Sequence, residues 1–170
     1  MNTQGLETER KYLIRMPDAA FLSRGEVWEI RQTYLTAAKG NRRVREVRTR
    51  DKTQYIYTEK ERVSALTSVE REREIDLAAY RTLLADARPD SAEVVKTRYR
   101  IPYAGHTLEI DVYPFWSTTA VLEVELSAED ETAPLPPEVC VIREVTEEPL
   151  YKNTNIARFL KEHPGEPLPV

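Results

Sequence analysis

Residues 107–126 read TLEIDVYPFWSTTAVLEVEL, and this stretch decides what kind of fold the chain can adopt. Leu108, Ile110 and Val112 alternate with Glu109 and Asp111. Leu122, Val124 and Leu126 alternate in the same way with Glu123 and Glu125. A period of two sends successive side chains to opposite faces of a strand. Both segments therefore read as strands with one apolar and one acidic face.

The same period recurs along the rest of the chain. Strands are predicted at Leu6–Arg15 (LETERKYLIR), Trp28–Leu35, Arg42–Thr49, Gln54–Glu61, Val69–Leu77 and Glu93–Ile101, with a shorter one at Val141–Val145. Helical spacing occurs in two places. Tyr80, Leu83 and Leu84 share a side of Ala78–Ala87, which Pro89 ends. Ile156, Phe159 and Leu160 share a side of Asn153–Glu162. Pro134–Pro137 reads as loop, and the proline-rich tail, residues 163–170 (HPGEPLPV), is predicted to be loose. Many strands with short turns and few helices predict a barrel or sandwich with helices added, in a length of 170 residues that suits one domain.

Composition narrows the function classes. The chain is 32% charged, yet its net charge is only −4, which argues against a general nucleic-acid binder. Its one cysteine, Cys140, allows no internal disulfide, fits a reducing compartment and reads as buried filler. The N-terminal residues have no apolar signal region, and no run of about 18 apolar residues exists. The expectation is a cytoplasmic protein without a membrane partner. With only His106 and His163 available, a Cys/His metal site is set aside. A bound metal would sit on carboxylates, which favours Mg²⁺ or Mn²⁺ over zinc. His106, beside Gly105, reads as a turn residue. Trp28, Trp116 and the nine tyrosines read as core filler rather than as a base-stacking platform.

The charges are sorted by strand. Glu7, Glu9 and Lys11 share a face; so do Arg43 with Arg45, Glu70 with Glu72 and Glu74, and Lys96 with Arg98. Like charges two apart repel, so such runs are costly unless the opposite sign lies between them. A closed barrel in which basic strands face acidic strands across a lumen meets that need. The basic wall would take phosphates, and the acidic wall a divalent metal that also touches them.

These motifs occur in a recognisable order. Glu7-x-Glu9-x-Lys11 opens the chain, followed by IRQTYL (Ile30–Leu35), Arg43-x-Arg45, Thr58-x-Lys60, Glu70-x-Glu72, Lys96-x-Arg98, the Glu109/Asp111 and Glu123/Glu125 strands, and VTEEPLYKNTNIA (Val145–Ala157). In this the chain resembles the CYTH superfamily, the triphosphate tunnel metalloenzymes, from about residue 6 to residue 160. One departure is that Ser68 or Val69 stands where many relatives carry an arginine. The resemblance implies an α+β, mainly β fold, a closed eight-stranded antiparallel β-barrel with helices packed outside. That domain spans residues 1–162, with residues 163–170 as a tail.

The resemblance further implies metal-dependent hydrolysis of the terminal phosphate of a triphosphate. Inorganic triphosphate (tripolyphosphate) comes first and nucleoside triphosphates second, with Mg²⁺ or Mn²⁺ as cofactor. Lys11, Arg43, Arg45, Lys60, Lys96 and Arg98 are assigned to the phosphates, with Arg31 and Lys152 added. Glu7, Glu9, Glu123, Glu125 and Asp111 are assigned to metal. Glu70, Glu72 and Asp111, together with Lys11, form the catalytic set, and which carboxylate orients the water is left open. The partner is a small molecule, not nucleic acid or membrane, and the protein is a monomer or homodimer. A class IV type adenylyl cyclase, a thiamine triphosphatase and a non-catalytic polyphosphate- or nucleotide-binding module are the alternatives.

Overall fold

The computed structural model describes residues 2–170. Nine strands run in chain order: β1 (Asn2–Arg15), β2 (Glu26–Leu35), β3 (Asn41–Arg48), β4 (Thr53–Arg62), β5 (Thr67–Ile75), β6 (Val94–Tyr103), β7 (His106–Val112), β8 (Thr119–Leu126) and β9 (Val141–Glu144). Three helices interrupt them: α1 (Ala19–Leu22), α2 (Leu77–Leu83) and α3 (Asn153–Glu162). Asp18 caps α1 by accepting from the Phe21 amide, and Asp76 caps α2 by accepting from the Ala79 amide. The predicted strands and both predicted helices are present; α1, only four residues long, carried no periodicity to announce it.

Every strand pairing is antiparallel, in the order β5-β4-β3-β2-β6-β7-β8-β1, and β5 returns to β1 to close an eight-stranded barrel. The long β1 makes closure possible. One of its edges carries β8 from Thr8 to Arg15. Its other edge carries β5 from Asn2 to Thr8 and then β9 from Tyr12 to Ile14. The ninth strand thus extends the wall past the point where β5 ends. Closure leaves the charged faces of seven of the eight strands pointing inward, β2 being the exception.

The apolar faces point outward and need cover. Ile101, Leu108, Ile110, Leu122 and Val124 pack beneath α1 and the segment holding Ala133 and Val139. Val44, Tyr57 and Tyr80 form a smaller cluster under α2. A third cluster plugs one end of the lumen: Leu13, Tyr34, Val94, Tyr113, Trp116 and Val121 meet Tyr151, Ile156 and Ala157 of the α3 end. Between β6 and β7, Ala104 (φ 49°) and Gly105 (φ 78°) form a two-residue hairpin turn with both φ positive, the form that matches strand twist.

Two sequence expectations are corrected. The proline-rich tail is not loose. Leu168 is 2% exposed within the plug, its carbonyl accepts from the Trp116 indole, and the Pro169 carbonyl accepts from the Tyr151 hydroxyl. Cys140 is exposed rather than buried. Its carbonyl is drawn to the Arg15 amide, and Val139 takes the inward position. No helix among the described residues is long and apolar enough to cross a membrane.

Candidate functional site

The barrel order sorts the lumen charges into two halves. β5, β1, β8 and β7 are consecutive, and they turn inward Glu70, Glu72, Glu7, Glu9, Glu123, Glu125, Glu109 and Asp111. The other half is β6, β2, β3 and β4, which turn inward Lys96, Arg98, Arg100, Arg43, Arg45 and Lys60. The β2 strand between the basic ones has on this face Glu26 at its exposed start, 3.7 Å from Arg100, and then the uncharged Trp28, Ile30, Gln32 and Tyr34. Lys11 is the cation standing within the acidic half.

Without a ligand, the two halves pair with each other. Arg45 donates to Glu72 at 2.7 Å, and Arg43 lies 3.9 Å from Glu70. Lys60 Nζ is 2.6 Å from Glu7, 3.4 Å from Glu70 and 3.7 Å from Glu9. Arg98 reaches Glu109 at 3.0 Å and Glu123 at 3.3 Å. The pairing is incomplete. Nε of Arg43 and of Arg45 are buried without a hydrogen-bond partner among the described residues. Buried N–H groups are nearly always satisfied, so two on adjacent arginines call for a missing acceptor.

Shifts in ionisation mark the lumen charges that their neighbours do not neutralise. Burial and the neighbouring Arg43 guanidinium pull Arg45 down to about 10. Burial, with Arg62 and Lys11 adding to it, lowers Lys152. The reverse holds across the lumen. Burial and then Glu7, Glu109, Glu9 and Glu70 raise Glu125. Burial and Glu123 raise Glu9 despite Lys60 and Lys11. Other lumen charges are well matched: against burial, Tyr34 and Glu70 hold Arg43 above its ordinary value, Glu9 and Glu7 do the same for Lys60, and Lys11 and Arg98 hold Glu123 below its own. Under-neutralised charge is therefore local, at Arg45 and Lys152 on one side and at Glu9 and Glu125 on the other.

Two cavities with shared lining residues occupy the lumen. One, of about 690 Å³ and partly open to solvent, is lined by Lys11, Arg43, Lys60, Arg62 and Lys152, with Glu9 its one carboxylate. Asn153 and Thr154, at the start of α3, complete it. Lys152 precedes that helix with no side-chain cap, so the first-turn amides add positive potential to the same space. The second, of about 610 Å³, shares Glu9, Arg43, Lys60 and Asn153. It runs on past Arg45, Glu70, Glu72 and Glu123 to Arg98, Arg100, Glu109 and Trp28. Outside it, Glu7, Glu70, Glu72 and Glu125 frame an acidic mouth with Gln4 and Gly5.

Several residues singled out from sequence sit elsewhere than expected. Arg31 is on the outer side of β2, more than half exposed and paired to Glu93 at 2.7 Å. The odd-numbered positions of this strand face away from the lumen, so Arg31 leaves the phosphate set. Asp111 faces inward but is fully buried. One oxygen takes Lys96 Nζ at 2.6 Å and Arg98 at 2.8 Å, and the other takes Arg98 Nε at 2.7 Å. Burial opposes its ionisation, but Arg98 and Lys96 outweigh that and hold the carboxylate below its ordinary pKa. In this arrangement both Asp111 oxygens are engaged by Lys96 and Arg98, and the carboxylate anchors Arg98. Lys96, 2% exposed and tied to the same carboxylate, lies beneath the cavities rather than in them. Glu123 is 5% exposed between Lys11 and Arg98. Glu7, Glu9, Glu70, Glu72 and Glu125, with Arg43, Arg45, Lys60 and Arg98, are brought together around the cavities. Lys11 is held between the Tyr151 carbonyl at 3.0 Å and Glu123 at 3.1 Å.

The structure also adds residues. Arg100 continues the inward series of Lys96 and Arg98, a signal the alternation of β6 already held. Arg62 does the same after Lys60. Trp28 lines the lumen, unlike Trp116, which is core. The donors available to a metal are all carboxylate oxygens, which suits a hard divalent cation in kind and in charge. Among the described residues no three of them converge on one point: Glu7, Glu9, Glu70, Glu72, Glu109 and Glu123 are turned toward lysines or arginines, and Glu125 stands apart at the mouth.

Solved structures resemble this chain. One, described as the inorganic triphosphatase NE1496, is 28% identical over 89% of this chain and 94% of that one, with a TM-score of 0.55. Another, of the hypothetical protein NE1496, is 29% identical over 89% and 97%, also at 0.55. The PH1819 protein from Pyrococcus horikoshii OT3 shares the fold, at 19% identity over 73% and 80% and a TM-score of 0.52. No protein-family model and no curated protein matches the chain.

Proposed function

We propose that this chain, whose barrel is that of a CYTH domain, hydrolyses the terminal phosphate of a triphosphate, with inorganic triphosphate as the first substrate and nucleoside triphosphates as further ones. The observation that carries this reading is the divided lumen. A row of cations, two of them with unpartnered guanidinium N–H groups, stands opposite a row of carboxylates around the same lumen. The likeness to a solved inorganic triphosphatase supports it.

The cations form the phosphate site. Arg43 and Arg45 each have a free Nε and a planar fork suited to two phosphate oxygens. Lys60, Lys11, Arg62 and Lys152 supply point charges toward the α3 end, and Arg98 extends the row the other way. As a polyanion binds, it takes the place that Glu70 and Glu72 hold against Arg43 and Arg45, and those carboxylates are released into the lumen. Glu7, Glu9, Glu70, Glu72 and Glu125 are then the residues that would hold a divalent cation. Mg²⁺ or Mn²⁺ there would neutralise phosphate oxygens and lower the pKa of a coordinated water. Glu70 and Glu72 would orient the attacking water as general base, a role supported by their pairing with the cations the substrate engages. Asp111 acts at one remove, by fixing Arg98. Positioning and charge neutralisation carry the reaction, with no covalent intermediate.

The test is phosphate release from inorganic triphosphate, ATP, GTP, thiamine triphosphate and pyrophosphate, with Mg²⁺ or Mn²⁺ and with chelator, cyclic AMP being measured in the same reactions. Release from triphosphates that stops with chelator is the expected result. Tight binding of triphosphate with no release under any metal would replace the enzyme by a binding module.

A further inference from the structure

Trp28 is out of place as core filler. It projects from β2 into a lumen walled mostly by charge, and it lines the cavity that holds Arg43, Arg45 and Lys60. Its indole Nε1 is buried yet has no hydrogen-bond partner among the described residues. The Arg100 guanidinium lies 4.4 Å from the ring centroid and is itself steadied by Glu109 at 3.3 Å. An aromatic ring, a stacked guanidinium and an unused N–H donor together make a corner that recognises a flat, heteroatom-bearing ring by stacking and one hydrogen bond. An inorganic phosphate chain has no use for such a corner.

The spacing relates this corner to the phosphate site. In the β2–β3 register Arg45 stands opposite Gln32 and Arg43 opposite Tyr34. Gln32 is four residues from Trp28 along β2, a rise of about 13 Å at strand spacing. That separation leaves room for a sugar and the first phosphates between the indole and the guanidinium pair, within one continuous cavity. We infer that Trp28 and Arg100 form a nucleobase subsite, so that the lumen takes a nucleoside triphosphate with its base against Trp28 and its phosphates along Arg45, Arg43 and Lys60. The inference rests on the triphosphatase reading above and adds the organic half of the substrate to it.

The experiment compares KM and kcat for ATP, GTP and inorganic triphosphate in the unmutated chain, Trp28→Phe and Trp28→Ala. Trp28→Ala is expected to raise KM for the nucleotides tenfold or more and leave KM for inorganic triphosphate within about twofold, because stacking on an aromatic ring is commonly worth that much. Trp28→Phe, which keeps the stacking face, is expected to recover most of the loss. Equal shifts for nucleotide and inorganic substrate, or no shift for either, would overturn the subsite. If no triphosphate is hydrolysed at all, the triphosphatase reading fails separately. The subsite is then read from binding of ATP and inorganic triphosphate in the unmutated chain: quenching of indole emission by ATP alone supports it, and equal or absent quenching sinks it. The same readout serves if Trp28→Ala does not fold.

Discussion

At the scale of single residues, the site is a set of charges that do not satisfy one another. Glu125 shows this most simply. It is exposed at the acidic mouth, and burial with Glu7, Glu109, Glu9 and Glu70 raises its pKa above the ordinary value. A carboxylate whose folded pKa is raised weakens the fold when ionised. The penalty is present above the folded pKa, shrinks as pH falls through it, and is gone below the ordinary value of 4.5. Glu125→Gln is therefore expected to stabilise the ligand-free protein at pH 7, by under about 1 kcal/mol because water screens an exposed group. The gain is expected to vanish near pH 4, and triphosphate turnover to drop by an order of magnitude or more. Urea denaturation at the two pH values and a phosphate-release assay measure both halves. A variant less stable at pH 7, or as active as the parent, would show that Glu125 is an ordinary surface residue.

At the scale of elements, the strands were legible because each obeys a period of two with chemically distinct faces. Inward and outward residues of β1, β3, β5, β7 and β8 fall where alternation puts them. Depth along the axis was not legible. Alternation gives Asp111 and Lys96 the same face as Glu109 and Arg98, but strand stagger and the plug of Tyr113, Trp116 and Tyr151 decide which of them meet the cavity. Arg31 was misplaced for the opposite reason: its charge was weighed and its parity was not. The tail was misread because three prolines and a glycine in eight residues look like a linker, while one leucine does the anchoring. Leu168, buried against Trp116, ties the tail to the plug, and Pro169 accepts from the Tyr151 hydroxyl. Tyr151 in turn offers its carbonyl to Lys11. Leu168→Ala is expected to cost about 2–5 kcal/mol, the usual range for emptying a buried leucine site. Val170, 61% exposed two residues later, provides the control, since Val170→Ala should cost little. Equal, small effects of the two substitutions on the urea midpoint would mean the tail is not part of the plug.

At the scale of the whole molecule, the barrel is an arrangement of two charged half-walls that lean on each other until something better arrives. The cross-lumen pairs have already been taken out of bulk water, so each recovers only part of its desolvation cost. A triphosphate alone would relieve the cationic half but would leave Glu70 and Glu72 released among Glu7, Glu9 and Glu125, raising repulsion on the acidic side. A divalent cation alone would do the converse, competing with Lys60 for Glu7, Glu9 and Glu70 while Arg43 and Arg45 lose their counterions. Bound together, each ligand removes the repulsion that the other creates, so their binding must be positively coupled and reciprocal. A thermal unfolding scan reads this directly. At ligand concentrations about 100 times the joint dissociation constant, stabilisation is about 2.7 kcal/mol, a rise in Tm of roughly 5–10 °C for a domain of this size. Triphosphate with Mg²⁺, scanned at a temperature ramp fast enough or with a slowly hydrolysed analogue to prevent turnover, is expected to raise Tm by clearly more than the sum of the two separate shifts. Separate shifts that merely add would mean the two half-walls act independently, and the divided lumen would then be no more than two adjoining charged surfaces.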